Sequence, residues 1–202
     1  SVTGIVELVG GSVSDERSGR VSLDGGNGRF AWHVDGSRRE TDDYEIPGFA
    51  ELQGEEEPGD ESFGILPNSA VDNRSAGLGF SWVGDRGYLG LSASGFDSLY
   101  GVPGHGHGEE EGEEPGGEVE GEEGVRIDLE QRRVDLEGQW QRSGGFLSGV
   151  KLRLGANEYT HRELEGAEVG TRFDNDALEG RLELVQRRRG RHSGASGIQV
   201  LT

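Results

Sequence analysis

The sequence predicts an all-β chain: an antiparallel up-and-down transmembrane β-barrel segment of about nine strands, with long acidic loops on one edge. Three observations lead there. Apolar residues recur with period two over most of the length, the spacing of a strand with one apolar face. Connections alternate between tight turns and long links, as they do in transmembrane barrels. The second face carries Arg, Asp, Glu and Gln on strand after strand, which suits a water-filled lumen better than the interior of a soluble sandwich.

Strands are expected near residues 2–13, 17–25, 29–39, 74–84, 87–99, 125–142, 146–160, 176–188 and 194–202. In the third, Phe30, Trp32 and Val34 alternate with Ala31, His33 and Asp35. The fourth sets Leu78, Phe80 and Trp82 against Gly77, Gly79 and Ser81, and the fifth sets Leu89, Leu91 and Ala93 against Gly90, Ser92 and Ser94. The sixth places Val134, Leu136 and Trp140 opposite Arg133, Asp135, Glu137, Gln139 and Gln141. Val150, Leu152 and Leu154, then Leu178, Leu182 and Leu184, continue the pattern. Within the sixth strand the apolar phase flips. Val125, Ile127 and Leu129 are odd-numbered and Val134 and Leu136 even-numbered, so either a bulge lies near Arg132-Arg133 or the outer half of the strand stands clear of the lipid. Aromatics near strand ends (Phe30, Trp32, Trp82, Tyr88, Tyr100, Trp140, Phe146, Tyr159) fit girdles at the two membrane interfaces.

Gly26-Asn27-Gly28, Asp85-Arg86, Ser143-Gly144-Gly145 and Arg189 to Ser193 read as tight turns on one edge. The other edge takes the brief Ser14-Asp15-Glu16 and the long links 40–73, 100–124 and 161–175. Charge follows this division. The chain of 202 residues carries a formal net charge of -19, which argues against a nucleic-acid partner because phosphate binding needs a basic surface. Eleven acids and no base lie from Glu40 to Asp72, and nine acids and no base from Gly101 to Gly124. The rest is nearly neutral, 19 acids against 20 bases. Glycine supplies 38 residues and cysteine none, so a large apolar core, a disulfide framework and a thiolate metal site are not expected.

The constellation with chemistry in it is Gly104-His105-Gly106-His107-Gly108 followed by Glu109-Glu110-Glu111. Imidazole suits zinc, copper and nickel, and carboxylates can complete the shell. In an extended segment the i,i+2 spacing puts both rings on one side. His105 and His107 are the candidate metal ligands, with one of Glu109, Glu110 or Glu111 as a third. A fourth would come from Asp42, Asp43 or water. The bland reading of the same run is a solvated acidic loop with two incidental histidines. His33 reads as a lumen-lining or hydrogen-bonded residue, His161 as the start of a loop and His192 as structural. No Walker sequence, dinucleotide fingerprint, nucleophile elbow or His-Glu-x-x-His helix occurs, so no catalytic residue, bound cofactor or enzymatic activity is expected.

Particular runs carry a resemblance. Phe30-Ala31-Trp32-His33-Val34-Asp35-Gly36 through Thr41-Asp42-Asp43-Tyr44-Glu45-Ile46-Pro47-Gly48-Phe49-Ala50 resembles the early barrel of TonB-dependent outer-membrane receptors. So do Phe96-Asp97-Ser98-Leu99-Tyr100-Gly101-Val102-Pro103-Gly104-His105 and Val125-Arg126-Ile127-Asp128-Leu129-Glu130-Gln131-Arg132-Arg133. The chain is most similar to the zinc-uptake group, over about Gly19 to Gln199. The resemblance implies the outer membrane of a Gram-negative bacterium and a monomeric barrel in contact with outer-membrane lipid. It also implies zinc or another divalent metal ion as cargo, and energy from the inner-membrane TonB complex through a plug. Such barrels have about 22 strands, and the plug and coupling motif are not found here. Residues 1–202 are therefore expected to form one partial barrel domain. The alternative is an outer-membrane binding module whose acidic loops contact a protein or other ligand without a metal role.

Overall fold

The computed structural model describes residues 1–50, 63–104 and 124–202. Nine strands form one antiparallel sheet: β1 (Val2–Gly11), β2 (Glu16–Gly26), β3 (Phe30–Thr41), β6 (Val71–Gly84), β7 (Gly87–Gly101), β8 (Arg126–Gln141), β9 (Leu147–Glu165), β10 (Glu168–Arg189) and β11 (His192–Leu201). A separate two-stranded pair, β4 (Tyr44–Phe49) and β5 (Phe63–Leu66), lies within the link from β3 to β6. Each strand of the large sheet pairs with the next one in that sheet, so the topology is a plain meander. The described residues contain no helix.

Because residues directly opposite each other share a face, the register sorts the side chains. One row runs Phe30, Trp82, Leu89, Gly138, Leu152, Leu182 and Ile198; the next runs Trp32, Phe80, Leu91, Leu136 and Leu154; a third runs Leu23, Val34, Leu78, Ala93, Val134, Ala156 and Leu178. These rows make a continuous apolar band on one face. Nothing covers it among the described residues. Leu78 is 59% exposed and Leu91 53%, while among the described residues the single buried apolar side chain is Ile127, at 6%.

The band is also staggered. Its first row starts at Phe30, the opening residue of β3, yet on β10 it passes through Leu182, seven residues before the strand ends at Arg189. A shift of about one residue per strand is what tilted strands wrapping into a barrel require. On β6 the band spans Ala76 to Gly84. Nine residues at ~3.4 Å each, tilted by roughly 40°, give a height of about 23 Å, close to the apolar band of transmembrane barrels.

Four sequence expectations need correction. The 161–175 link is not a long loop: β9 and β10 continue through it to a two-residue turn at Gly166-Ala167. Gly166 there has φ +59°, a conformation glycine adopts without strain. Period-two hydrophobicity could not reveal this stretch, because its outward face is ionic, its inward face mixes His161 and Phe173 with Glu163 and Thr171, and charge supports the pairing. Arg162 donates to Asp128 at 2.8 Å, and Thr160 and Arg172 both donate to Asp174. Second, the 40–73 link holds the β4–β5 pair. Third, there is no bulge near Arg132-Arg133, since β8 keeps unbroken register with β7 and β9. Fourth, Tyr88, Tyr100 and Tyr159 lie on the polar face, opposite Gln139, Ile127 and Gln131 respectively. The outward aromatics Phe30, Trp32, Phe80, Trp82 and Trp140 all sit toward the tight-turn edge.

Candidate functional site

With β8 in unbroken register, the flip in apolar phase becomes an inversion of the whole sheet. Beside the band, the apolar face turns ionic toward the long-link edge. Arg38 bonds Glu40 and Asp72, Arg74 bonds Asp72, and Arg132 reaches Asp97 and Glu130. The opposite face of the same rows turns apolar, with Tyr100 opposite Ile127 and Leu129 opposite His161, which in turn faces Phe173. Alternation is preserved while its sense reverses. A strand that leaves lipid for water has this requirement: its outward side chains must become polar, and any apolar ones turn inward.

Links fold over this end. The Asp43 carboxylate accepts bonds from the backbone N–H groups of Ser69 (2.7 Å) and Ala70 (2.9 Å), and the Ser69 hydroxyl donates to the Leu66 carbonyl while accepting from Tyr44 N–H. Asn68, at φ +57°, donates its amide to the carbonyls of Val102 (3.1 Å) and Val125 (2.7 Å). Arg39 grips Glu16 at 3.1 and 3.3 Å and the Tyr44 hydroxyl at 3.3 Å. The guanidinium holds the Glu16 carboxyl below its ordinary range. Thr41 and Ser69 are thereby buried.

Lower on the polar face, at the height of the band, side chains pair along the sheet. His33 stands between Asp24 and Asp35, each ring nitrogen 2.8 Å from a carboxylate oxygen. Arg133 holds Asp135 through two bonds of 2.7 and 2.6 Å. Tyr88 donates to Glu137 at 2.6 Å, and Lys151 and Arg181 both reach Glu183. Glycine makes the room: a Cβ on Gly77 would lie 2.6 Å from an Asp35 oxygen. Between the charged flanks runs a trough of about 430 Å³, floored by Gly79, Ser81, Gly90 and Ser92 and flanked by His33 and Glu137. Trp32, Phe80 and Leu91 also line it, and its acids are paired, Asp24 with His33, Asp135 with Arg133 and Glu137 with Tyr88.

The sequence-predicted ligands are placed as follows. His105, His107, Glu109, Glu110 and Glu111 lie outside the described residues. Asp42 is exposed beside the β3 end, with its N–H bonded to Ser14. Asp43 closes the link and shapes it. Among the described residues, no three His, Asp or Glu side chains converge as a metal site. His33 is hydrogen-bonded on the polar face, as expected. His161 belongs to β9 and not to a loop, with its ring 6.5 Å from that of Tyr159. The Asn68 clamp and the Tyr159–His161–Phe173 cluster had no motif to announce them; the only signal was the flipped phase at Ile127 and Leu129.

No protein-family model matches the chain. Among solved structures it is similar to OmpTdeltaL8, a loop L8 deletion mutant of OmpT, an outer membrane protein of Vibrio cholerae. Identity is 11% and the TM-score 0.44, over 100% of this chain and 56% of that one. The chain thus spans a little over half the length of that protein.

Proposed function

We propose that this chain is part of the wall of an outer-membrane β-barrel, with its apolar face in lipid, its polar face lining an aqueous lumen and its long links outside the cell. The observation that carries this is the staggered band: a soluble domain rarely leaves so large a contiguous apolar surface uncovered. Charged pairs on the polar face are tolerable only in water, which a lumen supplies.

The finer reading is a TonB-dependent receptor that captures a metal ion, most plausibly zinc, at its outer mouth and imports it with energy from the inner membrane. It rests on the resemblance of the runs named above and on the His105-Gly106-His107 spacing beside an acid-only link. Dense negative charge concentrates cations near the mouth, and the two imidazoles supply selectivity for a borderline-soft ion. Calorimetric titration of the protein in detergent with zinc tests it. A saturable site that the His105→Ala/His107→Ala variant loses, with more than tenfold weaker binding, supports metal capture. Equal and weak binding by both proteins would favour the alternative, acidic loops that contact a protein or other ligand without a metal role.

A further inference from the structure

We propose that Tyr159, His161 and Phe173 form a docking platform, inside the long-link end of the wall, for an organic cation with a flat apolar body. Phe173 is 55% exposed. Its ring meets Tyr159 edge-on at 6.2 Å, and Tyr159 stands 6.5 Å from His161. Leu129 lies opposite His161 and completes the apolar floor. Three rings gathered beside Leu129, on a face to which neighbouring strands also bring Phe96, Tyr100 and Ile127, offer contact area that water does not reward.

The charge nearest them on this face is negative, and Arg39, at the far end of the same row on β3, is held by Glu16. On this face, above Arg133, the described residues of β6 to β10 carry carboxylates such as Glu163 and no Lys or Arg, as the register shows. Arg133 itself is held by both oxygens of Asp135, so no basic side chain competes for the ring faces. The links joining β3 to β6 and β7 to β8 at this end add eighteen acids and no base. Aromatic faces attract a cation through their quadrupole, most strongly when it sheds water. An inorganic dication would instead seek the carboxylates and gain nothing from the rings. The platform therefore selects a poorly hydrated organic cation. The inference rests on the barrel reading only in needing this face to be in water.

The test uses phenyltrimethylammonium as the probe and benzyl alcohol as its neutral counterpart, by calorimetry on the protein in micelles. Circular dichroism of each variant checks that the sheet is intact. Saturable binding of the cation is expected, with benzyl alcohol binding much more weakly. Phe173→Leu and Tyr159→Leu should each weaken the cation about two- to thirtyfold, the range of one cation–π contact, while Tyr159→Phe should bind like the parent. Equal binding by the ring variants, equal binding of the neutral probe, or no saturation would overturn the platform. Those results would leave the barrel reading standing, because that reading is tested by lipid exposure.

Discussion

Asn68 closes the long-link end with a single side chain, donating to two carbonyls that belong to different strand ends. Asn68→Ala takes the side-chain donor from the Val102 carbonyl and leaves the Val125 carbonyl only the Val102 N–H, and the cost expected is about 1–3 kcal/mol. The effect should be local. Amide exchange at Val102, whose N–H bonds the Val125 carbonyl, should accelerate while amides of the apolar band do not change; a uniform acceleration would mean the clamp stabilises the whole sheet. A second residue-scale expectation concerns acid. Arg74 holds the Asp72 carboxyl below its ordinary range, with Arg38 adding to the effect, and Arg172 does the same to Asp174, helped by Thr160. Carboxylates with lowered values stabilise the folded state above the unfolded range and lose that contribution as pH falls through the lowered values. Acidification below about pH 4 should therefore loosen residues 171–175 before 78–82, which hydrogen exchange would resolve. The opposite order would contradict the ionic collar. None of these roles could be read from the sequence, where Asn68 is one polar residue in a link and Asp72 one acid among eleven.

At the scale of elements, the nine strands of the sheet were legible because each crosses an apolar region, and that forces period two on its side chains. Leu78-Phe80-Trp82 and Leu89-Leu91-Ala93 left no ambiguity. The rule fails where the apolar region ends. Residues 161–175 are strand whose outward face is ionic, held by Arg162 to Asp128 and Arg172 to Asp174, and whose inward face mixes His161 and Phe173 with Glu163 and Thr171, so they read as loop. β10 runs for 22 residues, about twice what a bilayer needs, and the surplus stands outside the band. The inversion at Arg132 was visible as a phase flip, but only the unbroken register of β8 distinguishes inversion from a bulge. Substitutions on β7 test the assignment of faces. Leu91→Arg puts a charge on the band and should cost about 2–4 kcal/mol if it lies near the bilayer midplane, whereas Ser92→Arg, one residue on, should fold and insert nearly as the parent does. Equal behaviour in a vesicle-insertion assay would contradict the two-faced strand.

For the molecule as a whole, β1 and β11 run in the same direction because an odd number of antiparallel strands separates their outer edges, and neither edge has a partner among the described residues. Single-chain bacterial barrels close antiparallel with an even number of strands. On the barrel reading, β1 and β11 paired directly would be parallel neighbours. The candidate metal site stays a matter of sequence: its spacing was legible, whereas the partners that would complete it belong to a link with no periodicity to read. The measurement that bears most directly on the wall is a lipid-exposure scan along β7. The protein has no cysteine, so single cysteines from Tyr88 to Asp97 can each carry a fluorophore, quenched in turn by brominated lipid and by a water-soluble agent after reconstitution in vesicles. A lipid-facing wall gives lipid quenching at Leu89, Leu91 and Ala93, aqueous quenching at Gly90, Ser92 and Ser94, and loss of lipid quenching at Asp97, where the ionic collar begins. Aqueous quenching at every position, or a period other than two, would contradict a transmembrane strand.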